Sequence, residues 1–216
     1  MSRLRFNITM SLDGYVAGPD PSVKEPLGAG GEQLHDWAIK TKAFREIHGD
    51  GSAAGETGVN DDIIRETFDN IGASIMGRNM FGGGPGPWAA EPWTGWWGKN
   101  PPFHTPVFVL THYTRAPLEM EGGTRFIFVT DGIETALAQA KKAAGKKDVS
   151  LGGGANVAQQ YLAAGLIDEV ELHVVPQLLG GGARLFKNLD GAKVKLEPIR
   201  TVEGPGVIHL KYRVLK

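Results

Sequence analysis

The chain has 216 residues, 41% of them apolar and 22% charged, with a formal net charge of −1. That balance fits one sizeable soluble core and excludes the basic footprint of a nucleic-acid or anionic-membrane binder. No run approaches the roughly 18 apolar residues of a membrane span, the N-terminus lacks an apolar signal core, and the absence of cysteine excludes disulfides, thiol nucleophiles and cysteine-held metals, as expected of a cytoplasmic protein.

In chain order, Arg3 to Met10 alternates polar and apolar residues and predicts a first strand. It runs into Ser11-Leu12-Asp13-Gly14, where Asp-Gly marks a turn, and then into a Pro/Gly-rich loop. Residues 32–47 predict one helix with Leu34, Trp37, Ala38 and Phe44 near one face, and 49–58 a flexible loop. Asn60 is placed to cap a second helix, with Asp61 and Asp62 favoured by its dipole and Ile63, Ile64, Thr67 and Phe68 as its apolar face. Ala73 to Met76 is a short buried strand that stops at Gly77-Arg78.

Residues 82–106 hold Trp88, Trp93, Trp96 and Trp97 without periodicity and predict a long surface loop, either a lid or a dimer interface. Residues 106–111 and 124–129 are strands, and Asp131 to Glu134 has capping-box spacing at the start of a helix reaching about Ala144. A strand at 149–151, a helix from Ala155 to Ala164 stopped by Gly165, a strand at 168–176 and a hairpin over 193–201 and 206–214 complete the chain. Strands alternating with helices predict one α/β domain over 1–216: a mostly parallel sheet, helices on both faces, and an antiparallel C-terminal hairpin.

The segment Ser150-Leu151-Gly152-Gly153-Gly154-Ala155-Asn156-Val157 places three glycines between a strand and a helix. Such a junction is either a tight turn or an anion seat, because the first helical amides are unpaired and no Cβ blocks approach. It matches neither the P-loop nor the G-x-G-x-x-G pattern. Gly77-Arg78 and Thr111-His112 end two further strands, where open α/β sheets bind ligands. The guanidinium of Arg78 suits phosphate, although for an arginine taken alone a surface cation near a carboxylate is the more common case. The six histidines lack metal-ligand spacing, and no nucleophilic-serine motif is present.

In order, S-L-D-G-Y-V-A (11–17), M-G-R (76–78), V-L-T (109–111), G-G-G-A-N-V (152–157), D-E-V-E-L-H-V-V-P (168–176) and L-L-G-G-G-A-R-L-F (178–186) resemble the dihydrofolate reductase superfamily. The similarity is to the reductase domain of bacterial riboflavin biosynthesis and its single-domain relatives. The resemblance implies a dihydrofolate-reductase-like three-layer fold and NADPH-dependent reduction of a small heterocyclic substrate, pterin- or pyrimidine-like, by a homodimer. It places Gly77 and Arg78 at the cofactor phosphates, Arg78 on the 2′-phosphate, and Thr111 and His112 beside the adenosine half. Gly152, Gly153, Gly154, Ala155, Asn156 and Val157 would seat the pyrophosphate, and Val16 and Ala17 would line the nicotinamide pocket.

The chain departs from dihydrofolate reductases at the acid: Asp36 directly precedes Trp37 instead of lying a turn before an aromatic. Asp36 is therefore either the proton donor or a solvated carboxylate, and Asp13 either a ligand-loop residue or a turn former. Two other readings stand beside the reductase: a non-catalytic nucleotide-binding module and a nucleotide-handling transferase.

Overall fold

The computed structural model describes residues 2–49, 54–89, 93–189 and 192–216. Its elements are β1 (Leu4–Ser11), β2 (Tyr15–Ala17), α1 (Asp36–Ile39), α2 (Lys42–Ile47), α3 (Val59–Phe68), β3 (Ile71–Gly77), α4 (Arg78–Phe81), β4 (Pro106–Leu110), β5 (Leu118–Glu119) and β6 (Arg125–Val129). They continue with α5 (Gly132–Ala144), β7 (Asp148–Leu151), α6 (Ala155–Ala163), β8 (Glu169–Val175), β9 (Ala183–Arg184), β10 (Lys195–Gly204) and β11 (Val207–Leu215).

Nine strands form the main sheet in the order β10-β11-β8-β1-β7-β3-β4-β6-β5. The six from β8 to β6 are parallel, with α-helices in the crossovers except between β4 and β6; β11, β10 and β5 add antiparallel edges, β10–β11 and β5–β6 through short turns. On one face, Leu4, Phe6 and Met10 of β1 pack with Ala136, Leu137 and Ala140 of α5 and Val157, Ala158, Tyr161 and Leu162 of α6. On the other, Trp37 and Ala38 of α1, Ala43 of α2 and Ile63 and Ile64 of α3 pack with Val175 and Val207. β1 pairs with β8 through Ser11 but with β7 only through Phe6, so their pairing parts at Leu151, where β7 ends and β1 runs on. Such a parting, at the carboxyl end of a strand, is where doubly wound sheets bind ligands.

Local chemistry moves several predicted boundaries. The helix expected over 32–47 is a 3-10 turn (Glu32–His35) followed by α1 and α2, broken at Lys40-Thr41. Thr41 is extended, its hydroxyl accepts the Phe44 amide, and its backbone bridges Glu56. Of the loop expected at 49–58, residues 50–53 lie outside the described residues.

Gly58, not Asn60, is the N-cap of α3, and Asn60 is buried in its first turn. Phe68, expected on the apolar face of that helix, is 39% exposed. Asp131 precedes α5 without a side-chain cap bond, so the capping box is not formed. The described part of 82–106 is irregular beyond α4, as expected, yet Trp88, Trp93 and Trp97 pack on Met76, Phe81, Val107, Val109 and Phe126 as a small core of their own. Residues 90–92 of that loop lie outside the described residues.

Candidate functional site

At the glycine turn after β7, backbone meets backbone. Gly152 donates to Ile75 O at 2.9 Å and Gly77 to Gly153 O at 2.7 Å, tying the end of β3 to the turn. A Cβ on Gly77 would lie 2.6 Å from Val157 Cγ2, and one on Gly152 3.1 Å from Met80 Cε. Gly153 has φ +103°, a conformation that side chains resist. Gly154 is the N-cap of α6, with nothing within 4 Å of its missing Cβ, and its carbonyl accepts the amides of Val157 and Ala158.

The amides of Ala155 and Asn156 precede the first intrahelical bonds and carry the positive end of the helix dipole. Asn156 is exposed with its Oδ1 held by Gln160 at 2.7 Å, while Val157 is buried. The turn therefore offers an amide-lined, side-chain-free edge suited to an anion.

At the neighbouring strand ends stand two arginines. Arg78, first residue of α4, donates from Nε and Nη2 to the carbonyls of Gly82 and Gly83 at 3.2 and 3.3 Å. Its Nη1 is 3.4 Å from the buried Thr111 hydroxyl, a long contact. Its guanidinium lies 3.2 Å from the centroid of the Trp88 ring, and that of Arg115 lies 4.7 Å from the same ring. Both distances are within cation–π range.

Arg115 donates to Trp93 O at 2.6 Å, and among the described residues its buried Nη2 has no hydrogen-bond partner. Among the described residues neither arginine has a carboxylate within ion-pair distance. Burial pushes both guanidinium pKa values down, and the charge of Arg78 lowers that of Arg115 further. Two desolvated cations around one ring are an unfavourable pair until an anion joins them.

The remaining sequence candidates are spread around these features. Thr111 also accepts the Tyr113 amide at 3.2 Å, and His112 beside it is exposed. Val16 is buried and Ala17 half-buried on β2, which pairs with β9. Asp36 opens α1 exposed to solvent, while its neighbours Trp37 and Ala38 are buried. Arg115 and Trp88 were not singled out as ligand contacts from sequence. A cation five residues beyond the end of β4 was a usable signal; its shared tryptophan, 27 positions away, was not.

Under α1 lies a different polar group. Thr9, His173 and His209 are in register on β1, β8 and β11 and share one face. Trp37 covers both imidazoles at centroid distances of 4.8 and 4.9 Å and donates to Thr9 Oγ1. Asn60 donates to Pro205 O, so its Oδ1 faces His209 Nε2 at 3.1 Å. The network then assigns the proton to His209 Nε2, leaving its Nδ1 to accept from His173 Nδ1 at 2.8 Å. Burial pushes both imidazole pKa values well below their ordinary range, so both are neutral.

A surface recess of about 710 Å³ lies beside the β2–β9 ribbon, lined by Tyr15, Gly182, Arg184, Phe186, Lys187, Asn188 and Leu189. None of the residues assigned to the cofactor lines it, but Gly182 and Arg184 of the 178–186 motif, readable from sequence as either a substrate contact or a tight turn, do. Among the described residues no helix is long and apolar enough to cross a membrane, and no group of three or more His, Asp or Glu is placed to hold a metal ion.

Residues 3–210 match the family model of the RibD C-terminal domain. The chain is 24% identical over 217 residues to the uncharacterized protein YyaP of Bacillus subtilis, covering 97% of this chain and 94% of that one. It superposes on Acinetobacter baumannii RibD with a TM-score of 0.59 at 18% identity, covering 100% of this chain and 59% of that one. On the dihydrofolate reductase of Enterococcus faecalis, solved with NADP(H), the TM-score is 0.54 at 14% identity, over 99% and 97% of the two chains. These likenesses fix the fold as dihydrofolate-reductase-like.

Proposed function

The chain belongs to the RibD C-terminal domain family, and we propose that it is an NADPH-dependent reductase of a small heterocyclic substrate, pterin- or pyrimidine-like. The observation that carries this reading is the pair Arg78 and Arg115 around Trp88, with the buried Nη2 of Arg115 lacking a partner among the described residues. An orphaned buried donor costs about 1–3 kcal/mol, which a phosphate oxygen would recover as a charge-assisted bond. The 2′-phosphate of NADPH has the right charge, and NADH lacks it. Gly152 to Val157 would hold the pyrophosphate through amides, Gly77 would let the turn close on β3, Thr111 and His112 would flank the adenosine, and Val16 and Ala17 would line the nicotinamide.

When bound, NADPH supplies a hydride. The protein's part is to hold that cofactor at the parting of β1 and β7 and to leave room there for the substrate. In this reading residues 1–216 act as one cytoplasmic domain, as a homodimer.

Titration by tryptophan fluorescence tests the reading. NADPH should bind at least tenfold tighter than NADH, and Arg115→Ala and Arg78→Ala should each erase most of that preference. Equal affinity for the two nucleotides in the wild type would overturn the reading.

The exposure of Asp36 favours a second reading, a nucleotide-binding module without a working proton donor. NADPH oxidation with any member of a pterin and pyrimidine panel, lost in Asp36→Asn, would exclude it.

A further inference from the structure

Asp13 lies in the turn between β1 and β2 and touches none of the arginines or glycines assigned above to the cofactor phosphates. Its carboxylate is nevertheless the centre of a latch. Oδ1 accepts the Ser11 hydroxyl at 2.6 Å and the Leu179 amide at 3.1 Å, and Oδ2 accepts the Gly180 amide at 2.7 Å. The Ser11 hydroxyl, fully buried, in turn accepts the Tyr15 amide at 2.9 Å. One carboxylate thus joins the entry to β2 with the segment that leads from β8 to β9.

Backbone bonds continue the seam on both sides. Leu12 donates to Gln177 O at 2.8 Å and Leu185 to Gly14 O at 2.9 Å. β2 then pairs with β9, Tyr15 opposite Arg184 and Ala17 opposite Ala183. The approach is close: a Cβ on Gly182, at φ +110°, would meet Ala17 O at 2.1 Å.

The far side of β9 is held by α6, whose buried Gln159 donates to the carbonyls of Arg184 and Leu185 at 2.9 and 3.1 Å. β2 is therefore located relative to α6, and so to the glycine turn at its start, through β9. The Gln159 clamp lies within the protein interior; the carboxylate clamp is a single half-buried side chain.

We propose that Asp13 is a positioning residue for the nicotinamide half of the cofactor: by fixing Leu179 and Gly180 it sets β9 against β2, and so sets Val16 and Ala17 against the glycine turn. The proposal rests on the NADPH reading. It assigns Asp13 no contact with ligand and no effect on the arginine end of the site. Removing the carboxylate leaves two loop amides without their acceptor and lets β2 shift, while Arg78, Arg115 and Trp88 stay where they are.

Adenosine 2′,5′-bisphosphate, which carries the phosphates but no nicotinamide, separates the two halves. In Asp13→Ala and Asp13→Asn its Kd should stay within twofold of wild type, while the Kd for NADPH rises about tenfold. A merely structural role moves both ligands together or neither, so an unchanged ratio of the two Kd values overturns the proposal.

If the wild type binds neither nucleotide, the NADPH reading fails and the latch is read by amide exchange. The amides of Tyr15, Val16 and Ala17 should then exchange at least tenfold faster in Asp13→Ala. Unchanged exchange removes the latch as well.

Discussion

Among the described residues, polar groups around Gly154 and Arg115 end without protein partners, whereas around His173 and His209 they close on one another. The two regions belong to one sheet. At the glycine end, side chains are absent or carry unneutralised charge, and the free groups are donors: the first amides of α6 and the Nη2 of Arg115. Under α1, the bonds from His173 through His209 and Asn60 to Pro205 are buried and internal. Burial of polar groups is tolerated where they are hydrogen-bonded, so the second region is explained by folding alone. The first needs a ligand to complete it. Polarity by itself therefore does not mark a site, and neither does one orphaned atom such as His35 Nδ1; an orphaned donor beside unneutralised cations does.

The largest effect that would break this contrast is acid lability of the closed region. His173 and His209 are neutral in the fold, with the pKa of His209 pushed down to about 4, whereas both protonate near the ordinary imidazole value when unfolded. The unfolded chain then binds more protons below that value, so stability is complete above about pH 6.5 and falls as the pH drops toward 4. Each group contributes a slope approaching about 1.4 kcal/mol per pH unit in that window.

Glu66 titrates elsewhere. Burial raises its pKa, but bonds from Lys211 and Arg200 outweigh that and hold it at about 2, so its contribution is lost only below the ordinary carboxylate range. Urea unfolding between pH 4.5 and 7.5 isolates the imidazoles, and His209→Gln should remove about half of the pair's slope. A slope identical to wild type would mean that the pair does not govern the acid response.

Next in size is Gly77→Ala. Its Cβ would overlap Val157 Cγ2 at 2.6 Å in a seam tied by Gly77 N to Gly153 O, so neither side can retreat freely. Overpacking of this kind costs about 1–3 kcal/mol. The expected result is a Tm lower by several degrees, checked by thermal unfolding without ligand. An unchanged Tm would show that the turn yields.

What the chain disclosed in advance follows the same division. The parallel strands and the glycine turn were legible because period and composition are local signals, and Gly77 does meet Gly153 and Val157. The ribbon of β2 with β9 was not, since Tyr15 and Arg184 are 169 positions apart and their pairing depends on the Asp13 latch. Nor was the histidine pair, because register between β8 and β11 leaves no trace in either strand. The break at Thr41 was missed because a capping hydroxyl outweighed an apolar pattern that ran on through it. Asp131 shows the converse: cap spacing without a cap bond. Asp36 was compared with an acid that lies a turn before an aromatic, a spacing it does not keep, and the fold leaves it in solvent.

The smallest change in stability is also the sharpest test of the open region, because stability and binding should move in opposite directions. Asn156 is the second residue of α6 and is exposed, and its Oδ1 already accepts from Gln160. Asn156→Asp keeps that acceptor and adds a negative charge at the positive end of the helix, which stabilises the fold by about 0.3–1 kcal/mol. The same charge repels a pyrophosphate seated on the Ala155 and Asn156 amides, so NADPH affinity should fall about tenfold, with the loss shrinking as added salt screens the exposed charges. Thermal unfolding and fluorescence titration at low and high salt read the two effects separately. A variant that is more stable and binds NADPH as well as wild type would show that the start of α6 is a finished helix end, no different in kind from the closed region beneath α1.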